Sequence, residues 1–213
     1  MEDTPVEKRK LTFRRLSGLD RSGPPPPETQ AGAPLRPWTI PNAIGYVRLL
    51  LVPVFLVLAL QSESGTDALP AVLFAVIAWS DYADGIAARV TGQYSRMGAL
   101  LDPLVDRMLI VAGVIVCWHF DLLPHWALAV LAARELFMLC VTQAALRRGI
   151  DLNVSMLGRW AVWPVMSALA LALLTDGWFL DLLLYVGLAM TLAATVRYVQ
   201  DGVREVRKAS TST

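Results

Sequence analysis

Charge is scarce in this sequence: 17% of its 213 residues are Asp, Glu, Lys or Arg, 55% are hydrophobic, and mean hydropathy is +0.50. Apolar runs recur along nearly all of the chain after about residue 40, which is the composition of a membrane protein, and the length suggests a single domain. Cysteine is nearly absent. Cys117 and Cys140 both sit in apolar stretches, which excludes a disulfide framework or a zinc site and reads them as small buried hydrophobes. The only two histidines, His119 and His125, flank a short loop without partners at metal-ligand spacing and are read as interfacial. No internal repeat is visible, which weighs against an inverted-repeat transporter. The first apolar run starts too late and has too many successors for a cleaved signal peptide. Net charge is +1, and no nucleic-acid partner is expected.

What the chain has is order in where its few charges fall. Residues 1–37 carry Lys8, Arg9, Lys10, Arg14, Arg15 and Arg21 and then the run Pro24 to Pro27, the composition of a disordered basic, proline-rich tail. Six candidate spans follow, at about 40–60, 68–90, 98–120, 124–147, 157–175 and 178–201, each near the ~20 residues needed to cross ~30 Å of hydrocarbon. Three alternate loops, near 61–70, 119–124 and 176–181, hold no Lys or Arg. The tail, the loops near 91–97 and 147–159 and the segment 204–208 are basic. The positive-inside rule then places both termini in the cytoplasm. The expectation is an all-α integral membrane protein with six transmembrane helices over residues 38–201, a second basic cytoplasmic tail at 202–213, and its site at the cytoplasmic side of the cell membrane. Pro53, Pro103, Pro124 and Pro164 should mark span ends or kinks.

The exception to this economy of charge is SDYADGIAARVTGQYSRMGALLDPLVDR, residues 80–107. Asp81 and Asp84 end the second span, and Asp102 and Asp106 begin the third. Spacings of three and four residues put each pair on one helix face. Four carboxylates near one another in an apolar bundle repel and are costly to desolvate, so a positive partner is required. Hard oxygen ligands of this kind suit one or two divalent ions such as Mg²⁺ or Mn²⁺. The plainer alternative is that the aspartates cap helices and pair with Arg89, Arg96 and Arg107. Between the pairs, Gly85, Ala88 and Gly98 permit close backbone approach, and Arg89 offers a planar fork to phosphate oxygens. The combination describes a divalent-metal site for a phosphate-bearing substrate.

The spacing Asp81-x2-Asp84-Gly85-x2-Ala88-Arg89-x8-Gly98-x3-Asp102-x3-Asp106 resembles the signature of the CDP-alcohol phosphatidyltransferases, with no residue missing, and the resemblance extends over residues 38–201. It implies a membrane enzyme, usually a homodimer, that moves a phosphatidyl group from CDP-diacylglycerol to an alcohol and releases CMP. It further implies that Asp81, Asp84 and Asp102 bind the metals and that Asp106 is the general base, itself able to touch a metal. Gly85, Ala88, Arg89 and Gly98 then fall where cytidine and pyrophosphate are held. The entry TIPNAIGYVR, with Asn42 and Arg48, the run AARE with Arg134 and Glu135, and Pro103 resemble the branch that makes phosphatidylglycerol phosphate or cardiolipin. Arg134, Arg159 and Arg197 become candidates for the acceptor phosphate, although a snorkelling role is an alternative for Arg48 and Arg197.

Glycerol 3-phosphate is the expected acceptor and phosphatidylglycerol the alternative. The second is raised by Gly158-Arg159-Trp160-Ala161-Val162, where the glycerophosphate-using branch often reads Gly-Lys-x-Lys-Thr. Inositol phosphate is less favoured, and a divalent-cation transporter is the reading from a different class.

Overall fold

The computed structural model describes residues 36–91, 95–147 and 156–211; within these, the side chains of residues 81, 82, 84, 85, 89, 96, 99, 142–147, 156–159 and 201–211 lie outside the description. All regular structure among the described residues is helical: α1 Ile40–Leu60, α2 Ala68–Thr91, α3 Arg96–His119, α4 His125–Arg147, α5 Met156–Ala172 and α6 Trp178–Thr211. Most boundaries fall within two or three residues of the expected spans. The N-terminal tail expected at 1–37 lies almost wholly outside the described residues, as does most of the loop expected to join the fourth and fifth spans.

The largest difference is at the other end. Helix α6 is 34 residues long and continues to Thr211, through the segment expected to be a tail. Its last stretch, DGVREVRKAST, contains no proline, and its single glycine, Gly202, costs only about 1 kcal/mol against the good helix formers Arg204, Glu205, Arg207, Lys208 and Ala209.

Among the described residues, two helical segments, Ile40–Leu60 and Trp178–Gln200, are both long and apolar enough to cross a membrane, while Ala68–Ser80 and Trp160–Ala172 are shorter apolar stretches. The reason is in the residues. Helix α2 carries Asp81, Asp84 and Arg89 in its C-terminal half, and α3 carries Arg96, Asp102, Asp106 and Arg107 along its first half. Pro53, Pro103 and Pro164 lie inside α1, α3 and α5. Each removes one ladder hydrogen bond, which helices packed against neighbours tolerate.

The chain divides into two compact units, one formed from the described residues 36–50 and 79–106 and the other from 51–78 and 107–211. In the larger unit, Phe55 and Phe74 meet edge to face with ring centroids 5.3 Å apart. Leu109, Leu128, Leu131, Leu169, Leu173, Leu180 and Leu184 are fully buried, while Val54, Val72, Leu136, Trp163 and Val196 point outward. In lipid, side chains facing out lose nothing by exposure, so helix association rests on close van der Waals contact and small residues. Gly187 shows this directly: a Cβ there would lie 2.8 Å from the backbone nitrogen of Val165 and 3.2 Å from the carbonyl carbon of Pro164. Helices α5 and α6 touch backbone to backbone at that point.

Cys117 is buried, as expected, but Cys140 is exposed, contrary to the expectation. Residue 140 follows Leu136, Phe137 and Leu139 on the outward side of α4, an apolar but unburied surface. His125 has partners the sequence did not suggest: its ring stacks on Trp118 at 4.4 Å, and its Nε2 lies 2.9 Å from Asp121 Oδ1.

Candidate active site

The smaller unit holds all eight residues of the signature that opened the functional question. Asp81 and Asp84 sit three residues apart in the last turns of α2, with Gly85, Ala88 and Arg89 just beyond them. Gly98, Asp102 and Asp106 follow one another at four-residue intervals in the first turns of α3. Asp102 and Asp106 therefore share one face of α3. Both are partly exposed, and Ala88 is partly exposed on α2. The side chains of Asp81, Asp84, Gly85 and Arg89 lie outside the described residues. Among the described residues no three His, Cys, Asp or Glu side chains gather into a metal-binding group. The described half of the acidic set is the α3 pair, whose chemistry of hard, partly exposed oxygen donors one turn apart suits a divalent ion.

Asp106 is anchored by Arg48. The Nη2 of Arg48 donates to Asp106 Oδ1 at 2.9 Å, with the Arg48 side chain 1% exposed and that of Asp106 34% exposed. Arg48 is not snorkelling at a span end; it is among the largest fully buried side chains. An arginine so placed needs a carboxylate because the desolvated charge is otherwise unfavourable by several kcal/mol.

Two more pairs of neighbours join α1 to α3. A Cβ built on Gly45 would meet Leu101 at 3.7 Å, an ordinary contact. One turn earlier on α1, Asn42 is 1% exposed and its Oδ1 accepts a hydrogen bond from Ser95 Oγ at 2.8 Å. Ser95 Oγ in turn accepts from the Gly98 backbone N–H at 3.0 Å, which makes Ser95 the N-cap of α3. Thr39 does the same for α1, its Oγ1 accepting from the Asn42 N–H at 3.3 Å. The Asn42 Nδ2 donates to the carbonyls of Arg36 and Pro37, both at 3.0 Å. Residues 42, 45 and 48 thus form one stripe on α1, facing 98, 101 and 106 on α3. Ser95 was not among the residues singled out from sequence; Ser followed three residues later by Gly is too common a pattern to single out by itself.

The larger unit contains a separate polar group. Arg134 on α4 donates from Nε to Thr195 Oγ1 at 3.1 Å and from Nη1 to the carboxylate of Glu135. Thr195 donates onward to the Thr191 carbonyl at 2.9 Å. Glu135 is 2% exposed and Arg134 is largely buried, so both face inward. Adjacent helix positions do not normally face each other; the length of the arginine side chain lets it fold back onto its neighbour. Arg197 is exposed, and the side chain of Arg159 lies outside the described residues. The structure does not bring the three acceptor arginines together among the described residues.

Comparison with known proteins bears on this arrangement. Residues 38–196 match the family described as CDP-alcohol phosphatidyltransferase. The chain is 37% identical over 171 residues to a CMP-forming cardiolipin synthase of Streptomyces coelicolor, covering 78% of this chain and 80% of that protein. It is 28% identical over 180 residues to a CDP-diacylglycerol--glycerol-3-phosphate 3-phosphatidyltransferase of Bacillus subtilis, covering 76% and 93%. A protein of the same name from Shigella flexneri is 30% identical over 165 residues, covering 75% and 88%.

Proposed function

Because the chain belongs to the CDP-alcohol phosphatidyltransferase family, we propose that it transfers the phosphatidyl group of CDP-diacylglycerol to the hydroxyl of a glycerol-based acceptor and releases CMP. The observation that carries this reading is the buried Arg48–Asp106 pair, which fixes a partly exposed carboxylate one turn from Asp102. A carboxylate held in one orientation, at the edge of solvent, is suited to take the proton from an acceptor hydroxyl as its oxygen attacks phosphorus. Family membership displaces the transporter reading.

Asp81, Asp84, Asp102 and Asp106 would hold one or two divalent ions, Mg²⁺ or Mn²⁺. When bound, such ions neutralise the pyrophosphate oxygens and the CMP leaving group. The remaining work belongs to the protein. Arg89 offers hydrogen-bond donors to phosphate, Gly85 and Ala88 leave the α2 backbone open to it, and Asp106 receives the proton. Six membrane crossings with both termini in the cytoplasm, and the site on that side, are supported by the basic loops and by the two helical segments long and apolar enough to cross, Ile40–Leu60 and Trp178–Gln200. A homodimer remains part of the proposal on resemblance alone.

Glycerol 3-phosphate is the first acceptor in this reading, with phosphatidylglycerol as the second. A specific observation favours the second. The Arg134 guanidinium is engaged by Glu135 and Thr195, and Trp160 and Trp163 leave the start of α5 apolar and exposed. Arg134 is thus committed to protein partners and is one cation fewer for a small dianion, while the exposed Trp160 and Trp163 offer apolar surface to a lipid acceptor.

The test is CMP release by purified protein from labelled CDP-diacylglycerol with Mg²⁺ or Mn²⁺, with each acceptor in turn. Release that depends on glycerol 3-phosphate supports the first reading. Release only with phosphatidylglycerol supports the second, and no release with either refutes the proposal.

A further inference from the structure

The signature glycine at position 98 is usually read together with the substrate, yet its surroundings here are protein. A Cβ at Gly98 would lie 2.8 Å from Asn42 Oδ1 and 3.3 Å from Ser95 Oγ. The first distance is shorter than real Cβ atoms show, and the neighbour cannot retreat cheaply. The Asn42 carboxamide is held on its far side by the carbonyls of Arg36 and Pro37 and on its near side by Ser95. It is 1% exposed, so letting go of those partners would leave buried polar groups unpaired.

We infer that Asn42 and Ser95 are positioning residues of the active site, and that residue 98 is glycine in order to seat the Asn42 carboxamide against the start of α3. The clasp joins three pieces of chain: the entry segment at 36–37, the first turn of α1 and the N-cap of α3. Asp102 lies one turn past Gly98 and Asp106 two turns past it, the latter tied back to α1 through Arg48. The two ends of the α1 stripe therefore set the register and height of both α3 carboxylates. A shift of a few tenths of an ångström at Gly98 is passed along a rigid helix to Asp102, and catalysis is sensitive to displacements on that scale. The inference deepens the proposed function and rests on it for the catalytic consequence, but the steric claim stands on the contacts alone.

The experiment is a double-substitution cycle with Gly98→Ala, Asn42→Ala and the two combined, with Ser95→Ala as a further single variant, each purified as the full chain. Turnover and KM for CDP-diacylglycerol are read by CMP release, and melting temperature is read without any assay of the reaction. Gly98→Ala is expected to lower kcat about tenfold or more, with the donor KM changing less than about threefold. That factor corresponds to about 1.4 kcal/mol of lost transition-state stabilisation.

Asn42→Ala removes the oxygen that the new methyl group would strike. In that background, adding Gly98→Ala is expected to change kcat by less than about threefold and to leave the melting temperature nearly unchanged. Ser95→Ala should resemble Asn42→Ala, lowering kcat more than it changes KM. If Gly98→Ala takes its full toll again in the Asn42→Ala background, or acts mainly by raising the donor KM in both, the glycine serves the substrate directly and the inference is wrong. If the wild-type protein releases no CMP with any acceptor, the proposed function fails, and the melting-temperature cycle still decides whether the clasp is real.

Discussion

Removing either partner of the Arg48–Asp106 pair should destabilise the protein by different amounts. The two side chains are unequally exposed, at 1% for Arg48 and 34% for Asp106. Asp106→Leu removes an ionic partner of a guanidinium that stays buried, and breaking such a pair from one side costs about 3–5 kcal/mol. Arg48→Met leaves a carboxylate that already reaches solvent and can be hydrated there. Its cost should be that of a lost charged hydrogen bond, about 1–3 kcal/mol. For a chain of this size each kcal/mol moves the melting temperature by about 2–4 °C. The expected falls are then about 6–20 °C for Asp106→Leu and about 2–12 °C for Arg48→Met.

The double variant removes both charges together. Replacing a buried ion pair by apolar side chains of similar volume is often close to neutral, so its loss should be less than the sum of the single losses by at least ~1 kcal/mol. Melting is followed in detergent with EDTA present, so that a bound divalent ion does not contribute to the difference. Equal losses for the two single variants, or strict additivity in the double, would show that the pair is not coupled as its burial implies. Arg48→Lys adds a second reading: it keeps the charge but shortens the reach and loses the planar fork, so partial recovery of stability with kcat still depressed is expected.

Asp102→Asn and Asp84→Asn should each reduce CMP release by at least ~100-fold if they remove a metal ligand; near-normal turnover in either would remove that residue from the metal set. EDTA should abolish turnover and added Mg²⁺ or Mn²⁺ restore it, whereas full activity after exhaustive chelation would contradict a metal-dependent transfer. Gly187→Ala should lower the melting temperature by forcing α5 and α6 apart, at about 1–3 kcal/mol, with the donor KM unchanged. A stability equal to wild type would mean the backbones can separate without loss.

The helices themselves were largely legible. Long apolar runs separated by short loops without lysine or arginine, such as 61–70, give little room for another assignment, and observed ends such as Leu60 and His119 fall within one residue of expectation. The continuation of α6 was missed because a change from apolar to charged composition signals the end of a span and carries no signal for the end of a helix. Arg48 and Asn42 stood out through the resemblance, which gave them no partners. Their partners are 58 and 53 residues away in sequence, and no local periodicity encodes which buried polar group meets which. The outward position of Cys140 was missed for a related reason. In a chain that is hydrophobic all round, the inner and outer faces of a helix have nearly the same composition, so the pattern that separates them in soluble proteins is weak.

The length of α6 also has a practical consequence. Its apolar segment ends at Gln200, while the helix continues to Thr211, and eleven further residues at 1.5 Å each extend it by ~16 Å. A fluorescent or enzymatic reporter joined just beyond Thr211 with only a short linker would therefore stand clear of the headgroup layer. It would report the side on which α6 emerges with little steric disturbance to the bundle.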